Sequence, residues 1–393
     1  MAGPLDGYRI IDVTQMISGP MATMVLGDQG ADVIKVEPPG RGDLTRMLGG
    51  GARRMSPIFA TSNRNKRGLV LDLKQASGVE LLKKLVANAD VFVQNFRPGA
   101  VERMGIGEAA LRALNPSLIY VSISGFGETG PYAHKRVYDP VIQALSGLAD
   151  IQGGSAERPR MLRLIVPDKV TALTAAQAMT AALLARERTG KGQHVRLAML
   201  DAVISFLWPE GMARHTFLGS DIGVSRPREV RDLVFETSDG FITAGAVSDA
   251  EWQGLAKALG HPEWLEDERF KTPAGRVKHA DARLEMTAEV LTSRSSDEWL
   301  ALLDEHEVPC APIVRREELA SNVQVVANEL IVQSEHEMTG RMQQPRPPAR
   351  FTETPAEIRR PAPGLGEHGE ELLTELGLDA GEIERLREQG VTI

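Results

Sequence analysis

One cysteine, Cys310, stands in a chain of 393 residues. That excludes a disulfide framework and any Cys-based zinc cluster. A core of this size needs neither staple. Aromatic residues are also scarce, at 5%, yet 42% of the chain is hydrophobic, with many Ala, Leu and Val. The composition is globular rather than disordered. There is no surplus of positive charge. The net charge is −8, which argues against nucleic acid as a partner, because such affinity depends on neutralising phosphates. The longest uncharged stretch, Val170 to Ala185, has 16 residues and falls short of a membrane span. The opening Met1-Ala2-Gly3-Pro4-Leu5-Asp6 has no basic start and no apolar run, so no signal or transit peptide is expected. These absences leave a soluble, cytoplasmic α/β protein with no nucleic-acid or membrane partner as the expectation.

Familiar cofactor motifs are missing as well. Gly-x-Gly-x-x-Gly does not follow the first apolar run, and no Walker-type Gly-Lys-Ser/Thr occurs. Gly49-Gly50-Gly51 reads as a flexible loop. His-Glu-x-x-His and Gly-x-Ser-x-Gly are absent, so neither a metal centre nor a serine hydrolase is expected. Cys310, in Val308-Pro309-Cys310-Ala311-Pro312, fits packing better than nucleophilic attack.

What is present alternates between strand and helix. Tyr8 to Val13 fits a buried strand. Ser18-Gly19-Pro20 opens a helix, with proline where its missing N–H costs nothing. Ala31 to Val36 is the next strand, completing a β-α-β unit. Further strands are expected at Leu69–Leu73, Val91–Gln94, Leu118–Ser122 and Val195–Met199. Helices are expected at Gly78–Ala87, Glu108–Leu114, Val170–Arg186 with its seven alanines, and Ala202–Phe217 interrupted near Pro209. Such alternation predicts a doubly wound sheet with ligands at the carboxyl ends of its strands. Ser220 to Arg231 turns polar and reads as a linker. A smaller α+β region follows: a hairpin over Leu233–Ala246 turning at Asp239-Gly240, and helices at Glu251–Leu259, Asp281–Leu291 and Asp297–Glu305. The proline-rich Gln343–Gly366 is read as loop. The tail carries helices near Glu370–Leu376 and Ala380–Glu388.

Charge is unevenly spread. Lys35, Arg41, Arg46, Arg53, Arg54, Arg64, Lys66 and Arg67 face only Glu37 and Asp43 in the same stretch, a local surplus of six on an acidic protein. The alternatives are a solvated face and a site for an anionic, phosphate-bearing ligand. Their place after expected strands favours the ligand. Asp168 stands where the apolar Leu164-Ile165-Val166-Pro167 meets the alanine-rich helix. As an N-cap it needs no further explanation. As a desolvated carboxylate at a helix start it has the makings of a nucleophile. The residues alone favour the cap.

Ordered motifs then become decisive. They are Gly19-Pro20, Gly30-Ala31-Asp32-Val33-Ile34-Lys35-Val36-Glu37, Gly42-Asp43, Asn63-Arg64-Asn65-Lys66-Arg67, Leu71-Asp72-Leu73-Lys74, Asn95-Phe96-Arg97-Pro98-Gly99, Ser122-Ile123-Ser124-Gly125-Phe126-Gly127, Thr189-Gly190-Lys191-Gly192-Gln193, Met199-Leu200-Asp201-Ala202 and Val308-Pro309-Cys310-Ala311-Pro312. In this order, nearly end to end, the chain resembles the class III CoA-transferases, the family of formyl-CoA transferase and the carnitine and bile-acid CoA-transferases. The resemblance implies a large Rossmann-like domain with a parallel sheet, a smaller α+β domain, and an interlocked homodimer. The domains would span 1–220, 221–330 and, returning to the large domain, 331–393.

The resemblance also implies that Asp168 is a covalent nucleophile in transferring CoA from an acyl-CoA to a small carboxylic acid. CoA would contact Leu71, Asp72, Leu73, Lys74, Asn95, Phe96, Arg97, Arg103, Arg136, Val137, Tyr138, Asp139 and Met199. No cofactor would be tightly bound; coenzyme A and acyl-CoA enter as substrates. The chain departs from the formyl-CoA enzyme at Ile17 and at Pro38-Pro39, which points away from formyl-CoA and oxalate. A related branch racemises 2-methylacyl-CoA with an Asp and a His. Tyr138 occupies that His position, and a phenol is a poor base near neutrality. A CoA-binding protein without catalysis is the third reading. Arg163 and Arg231 are candidates for holding a second substrate carboxylate.

Overall fold

The computed structural model describes residues 3–49, 55–152, 158–218 and 233–393. The expected linker Ser220–Arg231 therefore lies outside the described residues, as do Gly50, Gly51, Arg53, Arg54 and Arg231. The chain divides into two compact units, Met1–Glu229 with Glu329–Ile393, and Val230–Asn328.

The larger unit is built on six strands: β1 (Arg9–Asp12), β2 (Asp32–Glu37), β3 (Lys66–Val70), β4 (Val91–Gln94), β5 (Ile119–Ser124) and β6 (His194–Ala198). They lie in the order β3-β2-β1-β4-β5-β6, and every pairing is parallel. That is the doubly wound order, with its switch point between β1 and β4, where a crevice opens at the carboxyl ends of the strands. Parallel strands are buried on both faces, which is why they read as unbroken apolar runs. Strand β3 starts three residues earlier than expected, because Lys66 and Arg67 are buried and disguise its beginning.

Helix α1 (Ser18–Asp28) follows β1, and α2 (Ala76–Ala87) follows β3. Then come α3 (Glu108–Leu114), α4 (Asp139–Leu145), α5 (Val166–Thr189) and α6 (Met199–Gly211). One face of the sheet packs against α1 and α5 through Ala22, Leu26, Ala172, Ala175, Ala176 and Met179. The alanines let α5 approach closely. The other face packs α2 and α3 together with the chain's last helices, α10 (Gly369–Glu375) and α11 (Ala380–Glu388). Leu372, Leu373, Ile383 and Val391 share that core with Leu82, Leu85 and Phe92. The stretch read as proline-rich loop begins inside an antiparallel hairpin, β10 (Ile331–His336) and β11 (Gly340–Pro345), so Gln343–Pro345 are strand and the loop starts after them.

The smaller unit pairs β7 (Phe235–Glu236), β8 (Phe241–Ala244) and β9 (Cys310–Pro312) in an antiparallel sheet. Helices α7 (Asp249–Ala258), α8 (Ala280–Leu291) and α9 (Ser296–Glu305) cover it around Trp252, Phe270 and Trp299. Ser248 and Ser295 form capping boxes with Glu251 and Glu298, fixing where α7 and α9 begin. The Cys310 Sγ lies 3.5 Å from an Asp304 Oδ1, and burial together with that carboxylate pushes its thiol up to about 11.

Candidate active site

Two loops meet at the switch point. The loop after β1 runs from Val13 to Ile17, and the loop after β4 starts at Asn95. The Asn95 side chain joins them: its Oδ1 accepts from the Gln15 N–H at 2.9 Å, and its Nδ2 donates to the Gln15 carbonyl at 2.7 Å. Met16 adopts φ 70°, a left-handed conformation uncommon for a residue with a side chain. Gly19 is required at the start of α1. A Cβ there would lie 2.4–2.5 Å from the Thr14 side chain, which tucks beneath the helix.

Asp168 faces this loop. Helix α5 begins at Val166, with Pro167 early in its first turn and no side-chain cap at Ile165. Asp168 therefore lies inside the first turn, and the N-cap reading is corrected. Proline lacks the N–H that the first turn leaves unpaired, so the helix starts ahead of Asp168. The Asp168 N–H donates to Asp139 Oδ2 at 3.2 Å. Asp139 is buried at the start of α4, and its Oδ1 accepts from Gln143 at 2.6 Å. Gln143 also takes the Leu162 N–H at 2.8 Å, tethering the segment that leads into α5. Ser18 lines the same cavity as Asp168. Burial and the nearby Asp139 carboxylate push the Asp168 carboxyl up to about 6, against the opposing pull of the Ser18 hydroxyl and backbone amide.

A cavity of about 160 Å³ opens at Asp168. Met16, Ser18, Asn95, Phe96, Arg97, Lys135, Val137, Tyr138, Asp139 and Met199 are among its lining. A larger cavity, about 770 Å³, is lined by Gln15, Leu71, Asp72, Leu73, Lys74, Phe96 and Arg103 among others. Phe96 borders both. The fold thus gathers the expected CoA contacts around two cavities that share one wall. Arg136 is exposed and lines neither. Arg163 is exposed too and lines neither. A third cavity, about 550 Å³, adjoins across Arg97, Ile123 and Ser124. In it Gln94 Nε2 donates to Ser122 Oγ at 3.0 Å, and Ser122 Oγ lies 2.8 Å from His194 Nε2, a polar chain across three strands that has no local signature.

The basic stretch turns out differently from its expected role as a phosphate site. Lys35, Arg46, Arg64, Lys66 and Arg67 are buried. Each is ion-paired inside the fold: Lys35 to Asp43 at 3.0 Å, Arg46 to Glu37 at 2.6 Å, Arg64 to Asp28 at 2.7 Å, Lys66 to Asp12 at 2.9 Å and Arg67 to Asp32 at 2.7 Å. A buried cation needs a partner, and three of the partners, Asp12, Asp28 and Asp32, precede the stretch in the sequence. The surplus seen along the chain is cancelled in space. Of that group Arg41 is exposed. The cations bordering the cavities are Lys74, Arg97, Arg103 and Lys135 instead. Ser18 is legible in the sequence only as part of a helix start, because the cavity it shares with Asp168 brings together residues far apart along the chain.

The model of CoA-transferase family III matches residues 5–369. A succinyl-CoA:glutarate CoA-transferase of Mus musculus is 34% identical over 394 residues, 99% of this chain and 90% of that one. A formyl-CoA:oxalate CoA-transferase of Streptomyces coelicolor is 34% identical over 418 residues, 99% of each chain. The crystal structure of a CAIB/BAIF family protein from Brucella suis superposes with a TM-score of 0.81 at 33% identity, covering 96% of this chain and 100% of that one. The chain belongs to CoA-transferase family III and is a CoA-transferase of that class, moving CoA between acyl-CoA and carboxylic acids.

Proposed function

We propose that CoA passes through a covalent intermediate on Asp168, and that the acids exchanged are dicarboxylic. One observation carries the first part: a carboxylate in the first turn of α5, raised to about 6, opens on a cavity bordered by Ser18 and the expected CoA contacts. An Asp168 oxygen attacks the thioester carbonyl and expels CoA thiolate, leaving a mixed anhydride. The thiolate attacks the Asp168 carbonyl, releases the donor acid and forms an aspartyl-CoA thioester. The acceptor carboxylate displaces the thiolate from that carbonyl, giving a second anhydride. The thiolate then attacks the acceptor's acyl carbon and frees Asp168. Each step exchanges one acyl bond for another, so the thioester's free energy is kept and no ATP is consumed. Partial desolvation makes Asp168 a stronger nucleophile.

The nucleotide end of CoA belongs in the 770 Å³ cavity, with Lys74 and Arg103 toward its phosphates. Its pantetheine passes Phe96 and ends against Met199 beside Asp168. The dicarboxylic reading rests on the lining of the small cavity. Besides Arg97, an expected CoA contact, the cavity has a second cationic side chain in Lys135, placed to meet the far carboxylate of a dicarboxylic acid. The succinyl-CoA:glutarate relative agrees with that chemistry.

The active form is an interlocked homodimer on this reading, with 221–330 as the smaller domain. Its support is apolar surface in the single chain: Leu173 and Leu184 on α5, Phe206 and Trp208 on α6, and Val323 and Val326 are all exposed.

The intermediate is tested by incubating the protein with succinyl-CoA and no acceptor. Intact mass should rise by CoA less one water, the adduct should be released by hydroxylamine, and Asp168→Asn should show none. Steady exchange of CoA between acids by Asp168→Asn would sink the assignment. Washout of α-deuterium from 2-methylacyl-CoA without exchange would favour the racemase chemistry.

A further inference from the structure

Beneath the loop after β1 lie four fully buried charges: Asp12, Lys35, Asp43 and Lys66. Burying ions is costly, and apolar side chains of the same volume often serve stability better. These four are not spread through the core. Asp43 also accepts from the Thr45 N–H and hydroxyl, and Lys66 donates to Asn63, but most of the bonds they make outside their own pairs go to the loop or to the first turns of α1. Asp12 Oδ1 accepts from the Thr14 N–H at 2.9 Å and from its hydroxyl at 2.5 Å. Lys35 Nζ donates to the Thr14 carbonyl at 2.9 Å and pairs with Asp43 at 3.0 Å. Asp43 Oδ1 accepts from the Met16 N–H at 3.2 Å. Lys66 Nζ donates to the Pro20 carbonyl at 2.8 Å, and Asp12 Oδ2 accepts from Thr23 at 2.7 Å. With Asn95 on Gln15, residues 14, 15 and 16 are each held by a side chain from elsewhere in the fold. Met16, the strained one, is followed two residues later by Ser18.

We propose that the pairs Asp12–Lys66 and Lys35–Asp43 are positioning residues for the transfer reaction: they lock the loop so that Ser18 presents its hydroxyl and amide to Asp168. The proposal rests on reading Asp168 as the nucleophile. It touches neither CoA nor acid directly; it acts through the loop. Left-handed backbone at Met16 is held against its own preference, and the network supplies the holding bonds. When the network is broken, the loop relaxes, Ser18 withdraws, and Asp168 is left with Asp139 and its burial. Besides Asp139, the titratable groups lining the cavity with Asp168 are Arg97 from the loop after β4 and Lys135 and Tyr138 from the segment before α4. None of these belongs to the network, so they stay constant between variants.

Two readouts on the full-length protein test this. The first is kcat against KM for succinyl-CoA with glutarate as acceptor. Lys35→Met should lower kcat roughly 10- to 100-fold, as a displacement of about 1 Å near reacting atoms does, while KM for the thioester stays near the wild-type value. The second is titration of the Asp168 carboxyl by ¹³C NMR, assigned by its loss in Asp168→Asn. Lys35→Met should move its midpoint upward from about 6, because the pull of Ser18 toward the ionised form is lost. Ser18→Ala, which leaves all four charges in place, should move the midpoint the same way. Should Lys35→Met fail to fold, Asp43→Asn keeps the volume and an acceptor oxygen and is read by the same titration. A folded network variant with wild-type kcat and an unmoved midpoint overturns the proposal, and so does an unmoved midpoint in Ser18→Ala. Absence of any transfer by the wild-type protein refutes the nucleophile reading instead, since the titration needs no turnover.

Discussion

With its carboxyl at about 6, Asp168 is largely ionised at neutral pH and largely protonated at pH 5. Only the ionised form attacks, so kcat/KM should rise through about pH 6 and level off above it, an acid limb that belongs to the free enzyme. The same displacement affects stability. The folded state holds this proton more tightly than the unfolded chain, whose value is near 3.8. Stability contributed by the group therefore falls as pH rises from about 4 to about 6, and stays lowered above that. Asp168→Asn should melt at a higher temperature than wild type at pH 7.5, with the difference vanishing near pH 4. Calorimetry at both pH values checks this, and a lower melting temperature at pH 7.5 contradicts it. Lys135 bears on which acids react. It borders the cavity with its ammonium 3.8 Å over the Tyr132 ring, which restricts where the charge can sit. Lys135→Met should reduce kcat/KM for glutarate about tenfold, the loss of one charge-assisted bond worth roughly 1.4 kcal/mol. Butyrate, lacking the second carboxylate, should be unaffected. Equal losses for both acids would remove Lys135 from the specificity argument.

At the scale of elements, α1 and the loop before it are built to a tight tolerance. Gly19→Ala would set a Cβ 2.4–2.5 Å from Thr14, so helix or loop must shift. The expected cost is about 1–3 kcal/mol, with a fall in kcat that exceeds any change in KM. Denaturant unfolding and steady-state kinetics on one preparation measure both. The cations divide in the same way. Lys74→Ala and Arg97→Ala should raise KM for acyl-CoA, most at low salt, where exposed charges act furthest. Arg64→Met should leave Asp28 buried without its partner and unfold the protein at lower denaturant. These elements also mark where sequence reading succeeds. Val91–Gln94 and Glu108–Leu114 have the expected bounds, because uniform burial or a clear helical face leaves a local signature. The hairpin β10–β11 was not foreseen: its strands alternate Gln, Ser, Glu and Arg at a half-covered surface, a pattern resembling loop. The basic run misled for a related reason. Its partners Asp12, Asp28 and Asp32 sit on other elements, and pairing across a sheet has no local signature. Asp168 was legible as a nucleophile only through the ordered motifs around it, since local reasoning preferred a cap.

For the whole molecule, the interlocked reading predicts a dimer that parts only by partial unfolding. Two differently tagged populations mixed under native conditions should not exchange within hours, since separation then follows an unfolding rate rather than an affinity. Exchange within minutes, or a monomer in light scattering at micromolar concentration, would contradict it. Among the described residues no helix is long and apolar enough to cross a membrane; on the interlocked reading the exposed apolar side chains of α5 and α6 are covered in the dimer. The sheet's second face raises a matter of timing. Leu82 and Leu85 are covered in part by Leu372, Leu373 and Ile383, and the Gly68 N–H bonds to His368, 300 residues further along. A ribosome adding roughly 5–20 residues per second needs on the order of 15–60 s to pass from one side of that core to the other. Throughout that interval the part of this face that the tail will cover stands open beside α2 and α3, an apolar surface on a growing chain. Synthesis of this protein should therefore depend on chaperones that shield nascent chains, and transcripts truncated before Gly369 should yield aggregate rather than a smaller folded protein.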